Sequence, residues 1–303
     1  MMRSLYSAIS GLKNHQVKMD VIGNNIANVN TTGFKRSRVT FSTALSQSLK
    51  GASSPDVAAL PLFGGTNPMQ VGLGAMLGSI DQVMTTGSAQ TTGNSKDMMI
   101  QGSGFFVLNN SGQTVYSRAG GFSLDSVGNL VDPGSGAIVQ GQKYANDATA
   151  PIWPPALPAG ITNVVILKGS APNNAADVLD GKLTDYSIDP NGIVTGTYTD
   201  ALGVTHNHKI AQIAVANFAN DAGLESVGGN FNRYTNNSGP AVLGAAGTNG
   251  SGTIRTGYLE MSNVDLSQEM TDMITAQRGF QANSRVITVS DTLLQELIDL
   301  KRN

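Results

Sequence analysis

The sequence predicts an α+β protein that is mainly β, with a β-rich central body and long N- and C-terminal helices pairing as a coiled-coil domain. Three observations carry that expectation. All eleven prolines lie from Pro55 to Pro240, and among the 36 glycines only Gly279 follows Gly257. Proline and glycine break helices and punctuate turns, so the ends are free to be helical while the middle is not. Apolar residues recur at both ends at alternating spacings of three and four, the helical period. Between them, short runs of β-branched and aromatic residues alternate with turn signals, the pattern of strands.

The N-terminal stripe comprises Leu5, Ile9, Leu12, Gln16, Met19, Gly23 and Ile26, a heptad seam interrupted at Gln16 and Gly23. Ser4 is the expected N-cap, and Asn28-Val29-Asn30 leading to Gly33 the expected stop. In the middle, Met98–Ile100 and Phe105–Leu108 flank Gly102-Ser103-Gly104. Asn109–Gly112 is a hairpin signal before Thr114–Tyr116 and Phe122–Asp125. Tyr186–Ile188 and Ile193–Thr195 bracket a turn at Asp189-Pro190-Asn191-Gly192, and Lys209–Phe218 alternates as a further strand. The pattern weakens over 143–183, where four prolines surround Trp153, as in an inserted lobe. The C-terminal stripe runs Leu266, Met270, Met273, Gln277, Phe280, Ser284, Ile287, Asp291, Leu294, Ile298, opened by a capping box of Asp265 and Gln268. Ile274, Val286, Val289, Leu293, Leu297 and Leu300 widen its apolar face.

A helix over 265–301 is roughly 55 Å long at 1.5 Å per residue. Neither stripe can bury the other over that length, so the remaining apolar face calls for another copy of the chain. The expected organisation is a helical coiled-coil domain of 1–33 plus 264–303 and a connecting region of 34–75 plus 250–263. A β-rich body of 76–142 plus 184–249 and a small lobe over 143–183 complete it.

Composition excludes several classes. The 303 residues include no cysteine, which removes disulfides, Cys-ligated metals and thiol nucleophiles. Charged residues are 13%, too few for a polybasic nucleic-acid binder. Residues 1–50 carry seven Lys/Arg against one acid, whereas 51–254 carry seven against thirteen and 255–303 five against seven, so the two ends are complementary in charge. No apolar run reaches membrane-spanning length, and no small-residue cleavage site follows the mildly basic N-terminus. Neither membrane insertion nor a cleaved signal peptide is expected.

A search for chemistry finds none. His206 and His208 share a strand face without a third ligand, and His15 lies off the seam, so all three are expected at the surface. Gly72, Gly74 and Gly78 fit no phosphate loop. Lys35, Arg36 and Arg38 read as a solvated basic patch, or one that meets an acidic helix of a neighbour. No catalytic, cofactor or metal site is expected, and the protein is not read as an enzyme.

One segment is more particular than pattern: Gly23-Asn24-Asn25-Ile26-Ala27-Asn28-Val29-Asn30-Thr31-Thr32-Gly33-Phe34-Lys35. It resembles the N-terminal signature of the bacterial flagellar rod, hook and hook-associated axial proteins. Leu259–Glu269 and Met273–Arg285 resemble the same family at the C-terminus, as do Ile100–Val107 and Tyr116–Phe122 in the body. Within that family, Ala276–Arg285 and Leu294–Lys301 most resemble the hook type. The resemblance implies a subunit of the flagellar hook, a hollow flexible helical tube that transmits torque from rod to filament and encloses the export channel. The alternative within the family is a distal rod protein, forming a straight tube. Implied partners are other copies of the chain, the distal rod protein, the hook cap, the hook–filament junction proteins and the type III export apparatus. The implied location is the extracellular hook, reached without a cleaved signal. The family motif falls on Asn24, Asn25, Ala27, Asn28, Thr31, Gly33, Phe34 and Lys35. Self-assembly is expected to use Leu5, Ile9, Leu12, Met19, Ile26, Leu266, Met270, Met273, Phe280, Ile287, Leu294 and Ile298. A secreted β-rich carbohydrate-binding protein or lyase is the rival from another class, and a coiled-coil signalling adaptor a third reading.

Overall fold

The computed structural model describes residues 2–54, 65–144, 161–166, 182–199 and 203–302. Trp153 and most of the expected 143–183 lobe lie outside the described residues. The chain divides into two compact units, the first Met1–Ala27, Ser37–Gln82 and Asp265–Asn303, the second Asn28–Arg36 and Val83–Val264.

The first unit holds helix α1 (Met2–Ala27) and the 37-residue helix α2 (Leu266–Arg302), which pack against each other. α1 starts two residues before the expected cap at Ser4, because Met2 and Arg3 are themselves good helix formers. At the head of α2 the Asp265 carboxylate accepts the backbone N–H groups of Ser267 (2.9 Å) and Gln268 (3.3 Å). The Gln268 side chain donates forward to Asp272, so Asp265 caps the helix alone and the capping box is not formed.

Two antiparallel ribbons complete this unit. Ser37–Thr43 pairs with Ala75–Gln82, and Ser46–Lys50 pairs with Met69–Gly72. α1 packs on the first ribbon. Gly74, at φ 120°, backs onto Ser10, where a side chain would collide. Phe41, Leu45, Leu49, Met69 and Met76 remain exposed on the ribbons.

The second unit is built on a sheet running Lys182–Ile188, Ile193–Thr199, Thr205–Asn217, Ile138–Lys143, Phe105–Asn110, Gln113–Ser117, Phe231–Arg233, Glu225–Gly228, with every pairing antiparallel. Phe106 and Leu108 enter one core with Ile100, Leu130, Val139, Ile213 and Val215. Phe105 and Val107 enter another with Tyr116, Ala214, Ala216 and Leu243. Covering both faces is why Phe105–Leu108 and Ile213–Ala216 are continuously apolar instead of alternating. The Asn109–Gly112 signal becomes a two-residue turn, with Ser111 (φ 50°) and Gly112 (φ 89°) both left-handed and Asn110 opposite Gln113. Gly192 (φ 77°) closes the turn at Asp189. Within the expected lobe, Thr162–Asn163 pairs with Ile138–Lys143, and Val164 and Ile166 are fully buried in the first core.

Candidate functional site

The family motif and the two helix stripes frame the candidate site. Gly11, His15, Lys18 and Asn25 of α1 meet Asn283, Gly279, Asp272 and Glu269 of α2. A Cβ on Gly11 would stand 2.5 Å from the Asn283 amide nitrogen, and one on Gly279 would stand 2.5 Å from the His15 ring. Lys18 donates to Asp272 at 3.2 Å, and Asn25 donates to Glu269 at 3.2 Å. These pairs run in opposite directions along the two helices, so the helices are antiparallel. Ala8, Ile22 and Ala276 are buried on the same lines.

This seam is displaced from the apolar stripes. Leu5, Ile9, Leu12, Met19 and Ile26 on α1, with Met273, Phe280, Ile287 and Leu294 on α2, are half-buried; Leu266, Met270 and Ile298 are exposed by 45%, 45% and 64%. Ile274, Val286, Val289, Leu293, Leu297 and Leu300 are also exposed. Small and polar residues make the close contact, and an apolar surface remains outside it. His15, expected to be solvated, is half-buried against Gly279 with its Nδ1 atom buried. The glycine removes the side chain that would have pushed the ring outward. His206 and His208 are half-buried too, with ring centroids 6.4 Å apart. Among the described residues no group of three or more His, Asp or Glu is placed to hold a metal ion.

The motif residues separate by environment. Asn24 and Ala27 are exposed, whereas Asn25 is 1% exposed. The Asn25 amide pairs with the backbone of Ser37, donating to its carbonyl (2.8 Å) and accepting its N–H (2.9 Å), while also reaching Glu269. It thus joins the end of α1, the start of the first ribbon and the first turn of α2. Asn28 and Thr31 form a turn, with Thr31 N–H donating to the Asn28 carbonyl at 3.1 Å. Gly33, expected to close α1, lies six residues past its end. Its φ of 71° serves instead a close approach to the Arg118–Ala119 backbone, and its N–H donates to the Glu260 carbonyl at 2.8 Å. Phe34 is half-buried.

Lys35 corrects the reading of a solvated basic patch. Its ammonium donates to the fully buried Glu260 carboxylate at 2.5 Å and to the Thr85 carbonyl at 2.7 Å. Glu260 also accepts the Gly87 N–H (2.9 Å) and a contact from Arg118 (3.4 Å), whose guanidinium lies 5.1 Å from the Phe105 ring centre. Burial pushes the Lys35 pKa down, and Glu260 opposes that shift. A buried charge needs such a set of partners, and this one supplies them from four separate stretches of chain. Of the patch, only Arg38 is solvated, 3.9 Å from Asp81. Beside this cluster Asn263 accepts the Arg36 N–H (2.8 Å) and donates to the Val83 carbonyl (2.7 Å), while Val83 N–H donates to the Arg36 carbonyl (2.9 Å). Sequence reasoning did not single out Glu260, Arg118, Asn263 or Glu269 as site residues. The available signal was Glu260, a charge between Leu259 and Met261 at the end of the strand Tyr258–Glu260.

These segments are the ones matched by known families. Residues 5–35 match the flagella basal body rod protein family, 99–196 the flagellar hook protein FlgE/F/G D1 domain, and 255–300 the flagellar basal body rod FlgEFG protein C-terminal domain. The chain is 45% identical over 303 residues to the flagellar basal-body rod protein FlgG of Bacillus subtilis, covering all of both chains. The chain belongs to the flagellar rod and hook protein family. Another relative is the flagellar hook protein FlgE of Borreliella burgdorferi, 32% identical over 449 aligned residues that cover 99% of this chain and 100% of that one. Against the crystal structure of the Helicobacter pylori flagellar hook protein FlgE2, identity is 18% and the TM-score 0.21; the match covers 65% of this chain and spans 47% of that one. Among the described residues of this family member, no helix is long and apolar enough to cross a membrane.

Proposed function

We propose that this chain is a subunit of the flagellar hook. Copies assemble through the outward stripes of α1 and α2 into a hollow, flexible helical tube that carries torque from rod to filament and encloses the export channel. In this reading the helical domains of successive copies pack together as a coiled-coil layer. The tube meets the distal rod protein below and the cap and junction proteins above, outside the cell, after passage through the type III export apparatus. The observation that supports self-assembly best is the exposed apolar surface of α2. Leu266, Met270, Ile274, Leu293, Leu297 and Ile298 are all at least 45% exposed, too much apolar surface for one helix to leave in water without a partner.

The hook reading is supported by the resemblance of Ala276–Arg285 and Leu294–Lys301 to hook proteins, and by a hook relative that aligns with 99% of this chain at 32% identity. The aligned length exceeds 303, so the hook relative carries segments that this chain lacks. The rod reading, a straight tube, is supported by the equal extent of this chain and the Bacillus rod protein. Electron microscopy after salting-out polymerisation tests both. Hollow curved tubes are expected; straight tubes would favour the rod. Phe280→Asp, which puts a charge in the middle of the stripe, is expected to abolish tubes while leaving the β circular-dichroism signal intact. Tubes from that variant would refute the stripe as the assembly surface.

A further inference from the structure

We infer that Met270 is an oxidation site through which peroxide-class oxidants control assembly, an inference that rests on the stripe reading above. The chain has eleven methionines and no cysteine, so its thioethers are its only soft sulfur nucleophiles. They are distributed unevenly. Met98 and Met99, in the body core, are 0% and 5% exposed, whereas Met69, Met76 and Met270, all in the first unit, are 57%, 51% and 45% exposed. Met270 alone of these three lies on α2, with exposed Leu266 one turn before it and exposed Ile274 one turn after it. It is the thioether at the centre of an apolar row.

The chemistry balances with peroxide as the only co-reactant. A lone pair on Sδ attacks one peroxide oxygen, the O–O bond breaks as the S–O bond forms, and the remaining oxygen leaves as water after proton transfer. Sulfur is oxidised by two electrons and the peroxide is reduced. The product is a polar sulfoxide in a row that another copy must cover with apolar side chains, so the modified subunit loses packing where it needs it most. Conversely, a subunit already packed in a tube has Met270 covered and reacts slowly. Control therefore acts on the free subunit.

The test treats the purified full-length protein with hydrogen peroxide before and after polymerisation. Sulfoxide is mapped by peptide mass spectrometry and polymer is measured by sedimentation. In free protein, Met270 is expected to oxidise roughly tenfold faster than Met98 or Met99, in step with their exposure. Loss of sedimentable polymer should follow the Met270 sulfoxide fraction, and methionine sulfoxide reductase should restore it. A Met69→Leu/Met76→Leu variant should stay as peroxide-sensitive as wild type. Met270→Leu, compared with its own untreated sample, should lose no polymer on treatment. The inference is overturned if Met270 reacts no faster than Met98, or if Met69→Leu/Met76→Leu protects assembly. Failure of untreated wild type to polymerise is a distinct result, seen without peroxide, and would overturn the stripe reading and this inference with it.

Discussion

Asn24 and Asn25 are adjacent in sequence and opposite in environment. Asn25 is buried and holds both backbone groups of Ser37 as well as Glu269, whereas Asn24 is exposed. Asn25→Ala should cost about 2–3 kcal/mol, because it leaves the Ser37 groups and a buried carboxylate short of partners. Asn24→Ala, at an exposed position, should cost less. Hydrogen exchange at the last turn of α1 and at Ser37 checks both, and equal effects from the two variants would reject the clasp. The same logic separates Glu260 from Lys35. Glu260→Gln strands a buried ammonium and guanidinium together and should cost about 3–5 kcal/mol. Lys35→Met should cost less, since Arg118 and the Gly87 N–H still face the carboxylate. Urea unfolding followed by tyrosine circular dichroism ranks the two. Composition and spacing could not reveal this cluster, because Lys35, Arg118 and Glu260 are far apart in sequence and only Glu260, between Leu259 and Met261, hinted at burial. The motif marked Asn25 and Lys35 as particular, and only the fold supplies their partners.

At the scale of the helices, hydrophobic period and seam disagree for a physical reason. Leu, Ile and Met announce a stripe at three-and-four spacing, and both helices were legible from it, as were the turns at Ser111-Gly112 and Asp189–Gly192. The contact between the helices uses Gly11, His15 and Asn25 of α1 and Gly279 and Asn283 of α2, which carry no hydrophobic signal, beside the buried Ala8, Ile22 and Ala276. Strands Ser37–Thr43 and Ala75–Gln82 were illegible likewise, because their apolar residues are not buried on one face and so do not alternate. Gly279→Ala tests the seam by its sign. Alanine favours a helix over glycine by about 1 kcal/mol. Its Cβ, however, would meet the His15 ring, whose Nδ1 is already buried. The substitution should destabilise the helix pair by about 1 kcal/mol in the wild-type background and stabilise it by a similar amount beside His15→Ala. A double-mutant cycle read by far-ultraviolet circular dichroism measures the coupling. No coupling would mean that the ring and the glycine are independent.

For the whole chain, neither unit is a continuous stretch: the backbone passes between them after Ala27, Arg36, Gln82 and Val264. The second unit therefore needs Lys35 and Gly33 from near one end and Glu260 and Asn263 from near the other to complete its polar core. That unit also carries an alkaline limit. Burial pushes the hydroxyls of Tyr116 and Tyr186 up to about 12, helped at Tyr116 by Tyr234 and at Tyr186 by Asp185 and Asp97. An unfolded tyrosine ionises near 10.0. Between those values the unfolded chain releases protons that the folded body keeps. The tyrosine contribution is thus fully present below pH 10 and is lost as pH rises toward 12. Burial lowers the Lys35 pKa, so its contribution runs the other way and rises with pH over the window below 10.5. The two must be separated by comparison. In a Tyr116→Phe/Tyr186→Phe variant Lys35 is unchanged, so the difference from wild type isolates the phenols. From pH 9 to pH 11 wild type should lose about 2 kcal/mol more stability than the variant, read from urea midpoints of the β signal. Equal losses would mean that the two hydroxyls reach solvent in the folded body, and that the Tyr116 and Tyr186 sites are wetter than their burial implies.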